Sequence, residues 1–230
     1  TEVLKKLALA CEEYHLQWPD GVECSPLHIA TCSGDLQLFE HILEKAKDKN
    51  PKDHMGDTPF LTAASYGSLE IFEFILERAE DKNPKNDQGW TALHHAAADG
   101  HLEMCKFICK SGLDLESRTE IGMTPLHEAA IEGYFQICKL LVLKVEDKNP
   151  SNKEGFTPLH AAASGGHFEI YKFIAERVEN KNPEDTYGKT PLSLAKSNGH
   201  YEIFRLYRSI NKEQRKPNLS NPEKKRRKND

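Results

Sequence analysis

The sequence lacks any long apolar run. None of its hydrophobic stretches approaches the ~18 residues that a membrane-spanning helix requires. Its six cysteines, at positions 11, 24, 32, 105, 109 and 138, are irregularly placed, and no histidine pair with zinc-finger spacing accompanies them. Cys105 and Cys138 lie within apolar segments, as buried free thiols of a reducing compartment do. We therefore expect no metal site and no membrane insertion.

Motifs that carry chemistry are also missing. We find no Ser/Cys–His–Asp arrangement, no glycine-rich phosphate loop and no zinc-protease motif. The sequence therefore predicts no enzyme, no cofactor and no small-molecule substrate. No secretory signal is visible, although the chain begins at Thr1 rather than Met, so we allow for an upstream segment. We expect an intracellular protein, in the cytoplasm or the nucleus.

The charge is unevenly distributed along the chain. The net charge is −5, but residues 211–230 hold eight Lys/Arg and three Asp/Glu, which leaves 23 Lys/Arg and 33 Asp/Glu before them. An acidic body repels nucleic acid and attracts a basic partner. The tail contains a basic run, for which nuclear import, nucleic-acid contact and a merely solvated tail all remain open: Lys224, Lys225, Arg226, Arg227 and Lys228.

A short motif recurs six times. It reads Thr-Pro-Leu-His-Glu-Ala-Ala from Thr124, and related versions begin at Ser25, Thr58, Thr91, Thr157 and Thr190, so that every step is 33 residues. A repeat of this length predicts a stacked array of small units rather than one globule.

The residue types explain why each motif begins a helix. Thr or Ser caps the first turn. Pro is tolerated at the next position because a backbone N–H there would have no partner within the helix. A Gly nine positions after each Thr suits a left-handed helix end. A second apolar helix follows each time. The motif histidines, at positions 28, 94, 127 and 160, share one repeat position, which favours a structural hydrogen bond over catalysis.

These motifs resemble the ankyrin repeat. The resemblance covers roughly residues 20–210 and implies an all-α solenoid of helix-turn-helix units with hairpin-like fingers. Leu61 and Ser193 depart from it by replacing the motif His. Four Asp/Asn-Lys-Asn-Pro segments favour turn-like fingers over two-stranded ribbons, because Pro withdraws a ladder donor.

The repeat phase sets the predicted boundaries. Residues 1–19 form an N-terminal capping helix or a partial upstream repeat. Six repeats follow, at 20–52, 53–85, 86–118, 119–151, 152–184 and 185–212, the last of them a C-terminal cap. Residues 213–230 form a disordered basic tail.

The resemblance also implies a concave groove that binds a partner protein. Trp90, Met123 and Phe156 each precede the motif Thr in three successive repeats. They would form an exposed apolar stripe, unless they fold down onto adjacent fingers. We expect a partner with a basic and apolar segment. Alternatively, the array is the targeting arm of a larger enzyme or channel, or a nuclear regulator that uses its tail. The predicted contact residues are Met55, Asp57, Tyr66, Asp87, Trp90, Asp99, Ile121, Met123, Glu132, Phe156 and Tyr187.

Overall fold

The computed structural model describes Lys6 and residues 25–214. The predicted N-terminal cap and the basic run at 224–228 therefore lie outside the described residues. The last helix continues to Gln214, two residues into the segment predicted as tail.

Twelve helices are present between residues 25 and 214, and they alternate between two layers. The inner layer holds α1 (Pro26–Ser33), α3 (Pro59–Ser65), α5 (Ala92–Ala98), α7 (Pro125–Glu132), α9 (Pro158–Gly165) and α11 (Pro191–Ser197). The outer layer holds α2 (Leu36–Lys45), α4 (Leu69–Arg78), α6 (Leu102–Lys110), α8 (Phe135–Val142), α10 (Phe168–Ala175) and α12 (Tyr201–Gln214). Successive inner helices start 33 residues apart.

The helices pack as pairs in series. Each inner helix contacts its own outer helix and the inner helices before and after it. Alanines make the inner contacts close: Ala63, Ala96, Ala129 and Ala162 are fully buried. No strand occurs among the described residues. The prediction of an all-α solenoid with turn-like connections is confirmed.

Five tight turns, which we call the fingers, connect the pairs at residues 53–57, 86–90, 119–123, 152–156 and 185–189. In the first, the Asp53 carboxylate accepts hydrogen bonds from the amides of Met55 and Asp57, at 2.8 and 2.9 Å. The Asp87 amide of the next finger donates to the Met55 carbonyl. Gly56 has φ +79°, and a Cβ there would lie 2.8 Å from the Asp87 nitrogen. Glycine is therefore required for the fingers to stack.

Four buried histidines join successive repeats. In His94, Nδ1 accepts from the Thr91 amide at 3.2 Å, so Nε2 carries the proton and donates to the Met123 carbonyl, 29 residues further on. His28, His127 and His160 repeat this arrangement. Burial lowers the pKa of His94 and His127 to about 4, which keeps both rings neutral. The structural interpretation of these histidines is confirmed, and the hydrogen bond from Nε2 connects two successive repeats rather than two parts of one repeat.

The second repeat breaks this pattern. Leu61 occupies the histidine position and is fully buried. Without an imidazole beside it, the Thr58 hydroxyl is the one side-chain polar atom among the described residues that is fully shielded from solvent and has no hydrogen-bond partner.

We predict that Thr58→Val raises the free energy of unfolding by about 1 kcal/mol, because it removes an unpaired buried hydroxyl while keeping the shape. Thr91→Val is the matched control. Its hydroxyl lies 2.8 Å from His94 Nδ1, so losing it should lower stability by about 1 kcal/mol. Urea unfolding of both variants measures the difference. A loss of stability in both would show that Thr58 has a partner.

Candidate partner-binding face

The fingers and the C-terminal ends of the inner helices form one continuous surface, which we call the groove face. Backbone hydrogen bonds join each finger to the next, for example from the Glu120 amide to the Gln88 carbonyl at 2.9 Å. The helix ends are joined as well, because the Ser65 hydroxyl donates to the Asp99 carboxylate at 2.8 Å. This surface is thus assembled from several repeats and held by bonds between them.

Three of the predicted contact residues present large apolar side chains to solvent on the groove face. Ile121 is 62% exposed and Tyr66 is 59% exposed, and Tyr187 is exposed to a similar degree. Ile131, at the end of α7, is also exposed. Met55 is half-buried. The Tyr187 hydroxyl donates to Glu154 on the preceding finger at 3.2 Å.

The predicted exposed stripe of Trp90, Met123 and Phe156 is wrong at Met123, which is only 7% exposed. Phe156 packs against the core with its ring stacked on His160, and Trp90 is half-buried with its ring centre 5.1 Å from that of His95. The carbonyls of Met123 and Phe156 accept histidine bonds, and packing between repeats covers the apolar side chains of both residues, which removes them from water.

The predicted acidic residues are placed differently from one another. Asp87, Asp99 and Glu132 are exposed, and Asp87 lies 3.8 Å from Lys52. Asp57 is half-buried, and its carboxylate accepts hydrogen bonds from His95 Nε2 at 3.2 Å and from the side-chain amide of Asn86 at 2.8 Å. Burial acts to raise the pKa of Asp57, but the interactions with His95 and Asn86 outweigh it, and the pKa is lowered. Asp57 is therefore a fixed negative charge that holds His95 in place.

Glu128 is a feature of this face that sequence reasoning missed. It lies on α7 at the repeat position that His95 occupies on α5, 33 residues earlier. It is 9% exposed, and its carboxylate makes no hydrogen bond or ion pair with a described residue. Burial, with a smaller contribution from the neighbouring Glu132, raises its pKa to about 7, while His95 acts in the opposite direction. The one sequence signal was a carboxylate at a position that holds no acid in any other repeat, where the residues are Ile29, Thr62, His95, Ala161 and Leu194.

A second concavity lies away from the groove face, between α2 and α4. It has a volume of about 750 Å³, and Phe39, Phe60 and Phe74 line it together with Thr58. At the equivalent place in the fourth repeat, the Asn149 side chain accepts a hydrogen bond from the Leu159 amide at 3.0 Å. Asn50, which lines the cleft, makes no such bond with the Phe60 amide.

Comparison with known proteins agrees with this architecture. A family model described as ankyrin repeats matches the chain in three copies, over residues 1–86, 79–152 and 126–216. The chain belongs to the ankyrin-repeat family. Members of this family generally act as protein–protein interaction modules, and repeat stacks offer extended binding surfaces. A search of curated proteins finds no match.

Between residues 25 and 214, no helix is long and apolar enough to cross a membrane. The same part of the chain brings together no group of three or more His, Cys, Asp or Glu side chains that could hold a metal ion.

Met123 and Ile121 test the corrected picture of the face. We predict that Met123→Ala lowers the free energy of unfolding by about 2 kcal/mol or more, because a packed side chain is lost. Ile121→Ala, two residues away and exposed, should change it by less than about 0.5 kcal/mol. Chemical denaturation of both variants provides the measurement, and equal effects would contradict the assignment of Met123 to the interior.

Glu128 should make stability depend on pH. Its folded-state pKa lies above the ordinary value of 4.5, so the folded chain binds the proton more tightly, and stability falls as pH rises from 5 to 8. Relative to Glu128→Gln, the wild-type chain should lose about 2 kcal/mol over that range. Parallel denaturation curves at pH 5 and pH 8 measure this loss. A constant difference between the two proteins would show that Glu128 ionises normally.

Proposed function

We propose that this ankyrin-repeat chain is a non-catalytic interaction module that binds a protein partner along its groove face. The observation that carries this proposal is the exposure of Tyr66, Ile121 and Tyr187 on one surface that also holds fixed carboxylates. The partner that fits is a protein segment with apolar and basic side chains.

The apolar groups support binding because exposed large side chains on one face are typical anchor points in protein interfaces. Ile121 is at the tip of the third finger, and Tyr66 follows the end of α3. They belong to repeats two and four of the groove face rather than to one loop. A partner that covers both would contact several repeats at once.

The acidic groups support a basic partner. Asp57, Asp87, Asp99 and Glu132 come from three successive repeats of the groove face. Their charges add over the surface, which accelerates the encounter with a basic partner and disfavours an acidic one. The lysines of the fingers, Lys153 and Lys189, belong to later repeats, so we place the basic part of the partner over repeats two to four.

The connections between repeats support a preformed surface. Finger-to-finger backbone bonds and the histidine bonds fix the face before a partner arrives. A surface that is already ordered loses less conformational entropy on binding. We therefore expect little change in the backbone of the groove face when the partner binds.

The experiment compares two double variants that remove matched amounts of exposed apolar surface. Tyr66→Ala/Ile121→Ala changes the groove face. Tyr201→Ala/Leu143→Ala changes residues of the outer helices that are 58% and 62% exposed. Each protein is immobilised and used to capture partners from a cell lysate, which are identified by mass spectrometry.

We predict that the groove-face double variant captures at least tenfold less of each specific partner than the wild type does. The reason is that two hot-spot truncations of more than about 1 kcal/mol each are combined. The outer-helix double variant should retain the wild-type partners. Both should keep the wild-type melting midpoint, because all four residues are exposed. Equal capture by the two variants would contradict the assignment of the groove face.

A further inference from the structure

We propose that the groove face contains a site for one cationic side chain of the partner, a guanidinium or an ammonium group, with Glu128 as its counter-ion and Trp90 and His95 beside it. This inference rests on the proposed function and specifies the chemistry of the anchoring residue.

The first argument is that Glu128 is incomplete within the described chain. Glu128 is nine-tenths buried as a residue, while its carboxylate oxygens keep some contact with solvent, and a largely desolvated carboxylate is costly unless it is paired with a donor or a cation. Glu128 makes no such pair with a described residue, and the nearest charge on its own helix is a second carboxylate, Glu132. The equivalent residue of the next repeat is Ala161, which offers no donor. A positive group of a partner would therefore pair with this carboxylate.

The second argument is that the Nε2–H of His95 is not available as a donor to the Glu128 carboxylate. That proton is directed to the Asp57 carboxylate, which Asn86 holds from the other side. His95 is therefore oriented by hydrogen bonds that involve Asp57 of the previous repeat and Asn86 of its own repeat. It leaves the Glu128 carboxylate to an external group.

The third argument concerns the walls of the site. Trp90 and His95 lie against each other with ring centres 5.1 Å apart, and Trp90 keeps part of its surface exposed. His95 links the two groups, because it contacts the Trp90 ring and its charge acts on Glu128. A guanidinium or an ammonium group suits such a place, since it can stack on an aromatic ring while it pairs with an acid. A metal ion suits it less, since the described residues here provide no set of three ligands.

Cation binding at this site is linked to proton release. The free carboxyl of Glu128 has a pKa of about 7, and a cation requires its ionised form. Between pH 8 and pH 6 the affinity should fall about tenfold, because most of the carboxyl is protonated at the lower pH. The titratable groups that face Glu128 are Glu132 from α7 and His95 from α5, with Asp57 behind His95; α9 places Ala161 at the equivalent position. Glu128→Gln removes only the Glu128 carboxyl, so it separates the contribution of Glu128 to the pH dependence of binding from those of Glu132, His95 and Asp57.

The experiment uses a displayed library of random peptides, selected on the full chain at pH 8. The wild-type protein is compared with Glu128→Gln and with the control Glu146→Gln, which removes the same charge from an exposed position beyond α8 of the same repeat. Selected peptides are sequenced. Their affinities are then measured by calorimetry at pH 6 and pH 8.

We expect peptides selected on the wild type and on Glu146→Gln to share an Arg or Lys next to an apolar residue. Those peptides should bind Glu128→Gln at least tenfold more weakly at pH 8 and lose their pH dependence there. Selected peptides without a basic preference, or binding unaffected by Glu128→Gln, would overturn this inference while the proposed function stands.

Two other results have distinct meanings. Failure to select any peptide on the groove face would overturn the proposed function and this inference with it. Selection only after Lys224, Lys225, Arg226, Arg227 and Lys228 are changed to Gln would show that the chain's own tail occupies the site, which overturns the assignment to a partner.

Discussion

A hydrogen bond from a buried histidine to a carbonyl of the next repeat is the interaction on which the rest of the structure depends. The helices of the inner layer have seven or eight residues, too few to persist alone in water. Their stability must come from neighbours, and His28, His94, His127 and His160 connect those neighbours at 2.9–3.2 Å. Burial keeps the rings neutral, so the bonds do not depend on pH in the physiological range.

Packing between repeats decides what the groove face presents. The carbonyls of Met123 and Phe156 accept histidine bonds and both side chains pack against the stack, whereas the Lys189 carbonyl accepts the same kind of bond and its side chain is exposed. Met123 is buried, while Ile121, two residues earlier at the finger tip, is exposed. In this repeat the partner therefore meets the finger tip, and Met123 at the finger base belongs to the interior.

Departures from the repeat pattern are concentrated in repeats two to four. Leu61 leaves the Thr58 hydroxyl unpaired, His95 is bound to Asp57 of the previous repeat, and Glu128 is buried without a partner. Sequences usually satisfy local rules and depart from them at functional or strained sites. These irregular positions lie in the same repeats as the acidic residues of the groove face and as Tyr66 and Ile121. This coincidence favours repeats two to four as the region that contacts a partner.

Much of the fold follows from the sequence alone, because each repeat depends on local rules. Thr-Pro starts a helix, Ala permits close packing, Gly ends the helix, and Asp53 or Asn86 fixes a finger through its own neighbouring amides. Exposure could not be derived in this way. Whether Met123 faces solvent or the core depends on contacts between repeats, one of which is the bond from His94, 29 positions away, to the Met123 carbonyl. The 33-residue period therefore determined the solenoid, and only packing between repeats decided that Met123 is covered and that Glu128 is buried without a counter-ion.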